Sequence, residues 1–266
     1  MLVDHHCHLD FPDLVTLREG VLARAKAAGV GLLVTVCTRV KRFAEVVAIA
    51  ETYPQVYCTV GTHPHHAHEE LDITTEHLVR FAKHKKVVAI GEAGLDYHYD
   101  MSPREAQEQG FRTHIAAARI TGLPLVIHAR EADERVGQIL IEEMAKGKFT
   151  AVLHCYTSGM DLAKLGVGLG LYVSFSGVLT FKKSDDLRAI AAFVPMDRLL
   201  VETDAPYLAP EPFRGRKPNE PSLVVHTANA LAKVKGITSA ELATITTDNF
   251  HRLYSKVPRP VAVSAD

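Results

Sequence analysis

His6 and His8 stand one residue apart near the start of the chain, and Glu92, His128, His154 and Asp204 recur far downstream. Imidazole nitrogens and carboxylate oxygens are ligands for divalent ions, and a mixed set suits Zn, Mn, Fe or Ni, or Mg with more water ligands. The ligand chemistry therefore does not select the ion. Four histidines and two acids exceed what one tetrahedral ion with an open position requires, which favours two divalent ions sharing a carboxylate. Glu92, midway in the set, is the natural bridge. Fifteen histidines against no tryptophan is a biased composition that such a centre helps to explain.

Residues so distant in sequence need a scaffold that gathers them. Apolar, β-branched runs recur at Leu2 to Cys7, Leu32 to Cys37, Val56 to Gly61, Val87 to Gly91, Leu123 to Ile127, Thr150 to Leu153, Leu171 to Phe175 and Leu199 to Val201. Between them lie helical patterns, such as the stripe of Phe43, Val46, Val47 and Ala50 before Pro54. Ser102-Pro103-Arg104-Glu105 reads as a capped helix start with Gly122 as its stop, Ser184 as the cap of a helix ending near Pro195, and Thr238-Ser239-Ala240-Glu241 as a capping box. Strands alternating with helices at this spacing imply an α/β fold, a single (β/α)8 TIM-type barrel over residues 1–266. An open doubly wound sheet is the competing arrangement, but its G-x-G-x-x-G fingerprint is absent after the first strand. Gly166, Gly168 and Gly170 precede a strand and are expected in a loop.

In such a barrel every candidate ligand falls at the C-terminal end of a strand, on the mouth where barrel enzymes assemble their sites. The strand pleat points His6 and His8 to one face and His5 to the other. Arg130, Lys182, Lys183, Arg214, Arg216 and Lys217 also fall on the mouth and suit a phosphate backbone, while Tyr97, Tyr156, Tyr207 and Phe213 suit stacking on unpaired bases. The other histidines, among them His77, His84, His98, His114, His226 and His251, are expected on the surface or on helices.

The segments Asp4-His5-His6-Cys7-His8-Leu9-Asp10, Gly61-Thr62-His63-Pro64-His65, Ile90 to Tyr97, Ile127-His128-Ala129-Arg130, His154-Cys155-Tyr156 and Glu202 to Leu208 together resemble the TatD family of metal-dependent deoxyribonucleases, within the amidohydrolase-like barrels. The resemblance implies one ion on His6, His8 and Asp204, a second on His128 and His154, and Glu92 reaching both. It implies further that Asp204 accepts a proton from the attacking water and that His63 serves the substrate phosphate or leaving group. Catalytic roles thus fall to Asp204, Glu92 and His63, and substrate contacts to Arg130, Tyr97 and Tyr207. The family usually has serine or threonine where this chain has His5. Asn219-Glu220-Pro221 resembles a family segment that positions the loop before the last barrel helix.

The implied activity is 3′-5′ exonucleolytic cleavage of single-stranded DNA, or DNA with a free end, by a metal-activated hydroxide. The alternatives are an ester or amide hydrolase, such as a deacylase of aminoacyl-tRNA, and a non-catalytic nucleic-acid-binding barrel. A net charge of -1 excludes a polycation that coats nucleic acid, so any grip on phosphate is local. The four cysteines have no CxxC spacing and are expected as buried thiols. Without a signal-like start or a membrane-length apolar run, the expectation is a cytoplasmic protein with no membrane and no obligate protein partner.

Overall fold

A computed structural model describes residues 1–259. Its strands are β1 Leu2–Cys7, β2 Val30–Thr35, β3 Val56–Val60, β4 Val87–Asp96, β5 Leu125–Arg130, β6 Ala151–Leu153, β7 Tyr172–Phe175 and β8 Leu199–Val201. They form one parallel sheet in sequence order from β1 to β8. A bridge between Cys7 and Ala205 brings the two edges together: the Asp204 N–H donates to the His6 carbonyl at 3.0 Å and the His8 N–H to the Ala205 carbonyl at 2.8 Å. Asp4, two residues earlier, accepts the Thr203 N–H at 2.9 Å and its hydroxyl at 2.5 Å. The seam of the (β/α)8 barrel thus runs through residues that flank the candidate ligands.

The helices are α1 Pro12–Val15, α2 Arg18–Ala27, α3 Phe43–Thr52, α4 Thr75–Ala82, α5 Arg104–Thr121, α6 Asp133–Lys146, α7 Met160–Gly168, α8 Asp185–Phe193, α9 Val224–Lys235 and α10 Ser239–Leu253. On α3 the buried side chains are Phe43, Val46, Ile49 and Ala50, so Ile49 joins the stripe read from the sequence while Val47 is only partly buried. Gly122 ends α5 in a left-handed conformation (φ 69°), and Thr238 with Glu241 makes both bonds of the capping box on α10. The two predicted serine caps are not made. Ser102 instead donates to the His65 carbonyl at 2.9 Å and Ser184 to that of Val178 at 2.8 Å, so each hydroxyl ties a loop. The expected glycine loop is also displaced, because Gly166 and Gly168 lie on α7. A β-carbon at Gly166 would come within 2.8 Å of Leu153 Cδ1, so the absent side chain lets α7 press against β6.

Two apolar clusters divide the interior. The larger packs the outer faces of the strands against the helices. The smaller takes Val3, Val34, Val88, Val126, Val152, Tyr172 and Leu200 from seven strands and seals them with Phe250, Leu253 and Tyr254 of the C-terminal helix region. Val126, Val152 and Leu200 each precede by two residues a polar side chain of the next interior layer: His128, His154 and Glu202. The apolar floor therefore leaves the layer above it to the chemistry.

Candidate metal centre

That layer converges on Glu92. Its Oε1 lies 2.6 Å from His154 Nε2, 2.9 Å from His128 Nδ1 and 3.4 Å from His63 Nε2, while Oε2 lies 3.3 Å from His6 Nε2. Asp204 Oδ1 stands 3.4 Å from His8 Nε2 and 3.6 Å from His6 Nε2. All six sequence-nominated ligands are thus gathered, with His63 added. Donor atoms from His6, His8 and Glu92 are close enough to share one ion, as are those of His63, Glu92 and His128 and those of His6, His154 and Glu202. Gly94 permits the approach of β4 to β5 here, since a β-carbon would lie 2.0 Å from the His128 carbonyl oxygen. Asp204 and Cys155 hold left-handed backbone (φ 56° and 41°) in the turns leaving β8 and β6, a conformation that costs a non-glycine residue about 1–2 kcal/mol.

Three imidazoles have their outer nitrogen fixed. His8 Nδ1 faces the Val36 carbonyl at 3.3 Å, His128 Nε2 faces Asp96 Oδ2 at 2.9 Å, and His154 Nδ1 faces Glu202 Oε1 at 3.1 Å. An acceptor at that nitrogen keeps the proton there and leaves the other nitrogen's lone pair aimed inward, the tautomer a metal ligand needs. His6 is different: both ring nitrogens are buried without a hydrogen-bond partner. An unpartnered buried imidazole is costly, and an ion at Nε2 would satisfy it, so the donor set fits divalent metal.

The charge states of His6 and Glu92 fit the same reading. Burial, reinforced by His154 alongside, holds His6 below its ordinary pKa, in the neutral form that ligates. Burial alone would raise the Glu92 carboxyl, but His154, His63 and His6 hold it well below the usual range and keep it ionised. Against burial, which would lower it, Glu92 and Glu202 raise His154 well above its ordinary value, so an ion binding at its inner nitrogen would have to displace a proton. Burial pushes His63 down to about 3. Its Nδ1 accepts the His65 N–H at 3.1 Å, so the neutral ring carries its proton on Nε2, on the Glu92 side.

Several residues in this layer had no role from sequence reasoning. Asp96 joins His128 to His65, whose Nε2 is 3.0 Å from Oδ2; the carboxylate is reached because β4 runs five residues beyond its expected end at Gly91. Glu202 was visible in its motif, but only the fold brings it against His154. His5 does not turn away from the site as strict alternation requires. The pairing of β1 with β2 shifts register between Asp4 and Cys7, and His5 Nε2 lies 2.6 Å from Ser174 Oγ and 3.0 Å from Glu202 Oε2. His65 is partly exposed on the turn after His63, and His114 lies on a helix as expected but is buried there, accepting the Thr62 N–H at 2.9 Å.

Of the nominated substrate residues, Arg130 ends β5 with its guanidinium 5.1 Å from the centre of the Tyr99 ring. Tyr207 is 53% exposed, whereas Tyr97 packs on the core with Arg104 over its ring at 4.0 Å, and Tyr99, at 55%, is the exposed tyrosine of that loop. Tyr156 is buried, its hydroxyl donating to the Gly159 carbonyl at 2.6 Å, and Phe213 is exposed. Asn219 donates to the carbonyls of Thr203 and Tyr207 at 3.1 and 2.5 Å, and Arg24 grips both oxygens of Glu220, so this segment does position the loop after Asp204. All four cysteines are free thiols, Cys7, Cys37 and Cys58 fully buried and Cys155 partly. No helix among the described residues is long and apolar enough to cross a membrane.

Comparison with known proteins adds an independent line. A family model described as TatD related DNase matches residues 3–255. The chain is 41% identical over 257 residues to the metal-dependent hydrolase YabD of Bacillus subtilis, covering 96% of this chain and 99% of that protein. It is 36% identical over 244 residues to the 3′-5′ ssDNA/RNA exonuclease TatD of Erwinia tasmaniensis, covering 90% and 93%. Among solved structures, the TatD homologue YJJV of Escherichia coli superposes with a TM-score of 0.88 at 30% identity, over 97% of this chain and 98% of that one.

Proposed function

Given that the chain belongs to the TatD-related DNase family of metal-dependent hydrolases, we propose that it releases nucleotides from the 3′ end of single-stranded DNA by hydrolysing terminal phosphodiester bonds, with two divalent ions at the barrel mouth. The observation that carries the two-ion reading is the placement of Glu92, with one carboxylate oxygen beside His6 and the other beside His128 and His154. His6, His8 and Asp204 would hold one ion, His128 and His154 the other, and Glu92 would serve both. When bound, such ions polarise the phosphate and lower the pKa of attacking water.

The protein's own groups supply the remainder. Asp204, the most open of the carboxylates around the ions, accepts the proton of the attacking water; its side chain is 16% exposed against 2% for Glu92. His63, neutral with its proton on Nε2, donates a hydrogen bond to the leaving oxygen. Arg130 offsets charge on the phosphate from the β5 rim, and Tyr207 offers an exposed ring to an unpaired base. Tyr97, covered by Arg104, supports the loop that carries Tyr99.

The test is chelated protein assayed on a 5′-labelled single strand, with each divalent ion restored in turn and an aminoacyl ester run in parallel. The expected result is metal-dependent shortening of the strand from its 3′ end. Release of the aminoacyl group with an intact strand would replace the proposal with ester hydrolysis, and no turnover of either substrate with any ion would end it.

A further inference from the structure

The loops that follow β7 and β8 are fastened together. The Arg214 guanidinium lies 4.3 Å from the centre of the Phe181 ring, and the Glu211 N–H donates to Thr180 Oγ1 at 2.8 Å. Arg188 holds the first loop from below, donating to the carbonyls of Leu179 and Phe181 at 3.0 and 2.8 Å. Lys182, Lys183, Arg214, Arg216 and Lys217 are therefore carried, exposed, on one doubled ledge at the C-terminal face. Among the described residues, Lys182, Lys183, Arg214 and Lys217 have no carboxylate within 4.0 Å, and Arg216 reaches only Glu220, at 3.8 Å. Asp185 and Glu220 are paired with Arg188 and Arg24, so with Asp186 and Glu211 in the same loops the five cations leave a local excess of positive charge in a chain of net charge -1.

The ledge is connected to the ligand residues by rings. Phe11 stacks on His8 with centroids 4.5 Å apart, and Tyr207 meets Phe11 edge-on at 6.1 Å. Tyr207 begins the loop that goes on to Phe213 and Arg214, and its N–H donates to the Asp204 carbonyl at 3.0 Å. An exposed aromatic ring beside the ligands followed by unpaired cations suits a strand whose bases stack and whose phosphates are drawn to positive charge. Duplex DNA would offer no free base face to Tyr207.

Resting on the phosphodiester reading above, we propose that the joined β7 and β8 loops bind the backbone of single-stranded nucleic acid several nucleotides away from the bond being cut. The protein then grips a strand as well as its terminal linkage, and affinity grows with strand length until the ledge is filled.

The experiment compares the unaltered protein with the triple variant Lys182→Glu, Lys183→Glu, Lys217→Glu, whose altered side chains make no hydrogen bond among the described residues. Binding of a labelled single strand of about 20 nucleotides is measured by fluorescence anisotropy in chelator across a salt series, and hydrolysis of a dinucleotide is measured with metal restored. The variant should bind the strand at least about tenfold more weakly, with the slope of log K against log salt shallower by about 2, since each single-strand phosphate contact contributes roughly 0.7. Its melting temperature should be unchanged, and its dinucleotide hydrolysis should fall by a smaller factor than its strand binding. Equal binding and equal salt slopes in the two proteins, or no binding by the unaltered chain, overturns the ledge whatever the dinucleotide does. Failure of the unaltered chain to cleave the dinucleotide bears on the hydrolytic reading alone.

Discussion

Glu202 Oε1 lies 3.1 Å from His154 Nδ1, and the opposite nitrogen of the same ring lies 2.6 Å from Glu92. In the proposed centre this buried carboxylate would act on the ion site through the imidazole, by keeping its proton on the outer nitrogen. Glu202→Gln should therefore weaken metal affinity about 10- to 100-fold while the circular dichroism spectrum stays unchanged. Titration calorimetry with a single divalent ion reads this directly, and an unaltered affinity would mean that Glu202 does not position His154.

Glu92→Gln tests the shared carboxylate. The amide keeps the shape but loses the charge that faces His6, His128 and His154. Nucleotide release should fall by about 10²-fold or more, and the number of ions retained per chain, measured by elemental analysis, should drop. A variant that keeps both full ion content and full turnover would remove Glu92 from the centre.

His114 gives the fold a pH dependence separate from the ions. Burial pushes its pKa down to about 4, against 6.5 when unfolded, so the unfolded chain binds more protons between these values. The stability it contributes is complete above 6.5 and is lost as pH falls towards 4. Between pH 7 and 5 the loss from this residue is about 2 kcal/mol. His114→Gln should be less stable than the unaltered protein at pH 7 yet lose about 2 kcal/mol less on going to pH 5; parallel urea curves with equal losses would contradict this.

Thr238→Ala should destabilise the protein by about 1 kcal/mol, because the hydroxyl that accepts the Glu241 N–H at the start of α10 is lost while the backbone N–H of residue 238 keeps its bond to the Glu241 carboxylate. Urea denaturation at pH 7 measures it. Metal affinity should not change, since the cap lies at the opposite end of α10 from Tyr254, whose hydroxyl is 3.1 Å from His5.

The clustering of the candidate ligands and the barrel were legible in the sequence for the same reason: in a parallel barrel, side chains gather where strands end, and apolar runs mark those ends. Asp96 and Glu202 were harder to read. Each acts through a histidine contributed by another strand, so only the assembled sheet reveals the pair. His5 was misread because period-two alternation assumes unbroken register, which β1 does not keep. The buried position of Gly166 on α7 depends on how closely that helix meets Leu153, a distance that no local pattern records.

The hydrogen bonds that close the barrel join the backbone of His6 and His8, at the start of the chain, to that of Asp204 and Ala205, near its end. A ribosome must therefore deliver β8 before the first two histidines can meet Asp204. Capture of metal by the full candidate set would then be a late event in biosynthesis. Metal held there would tether the first strand to the last, and opening the seam would require giving it up.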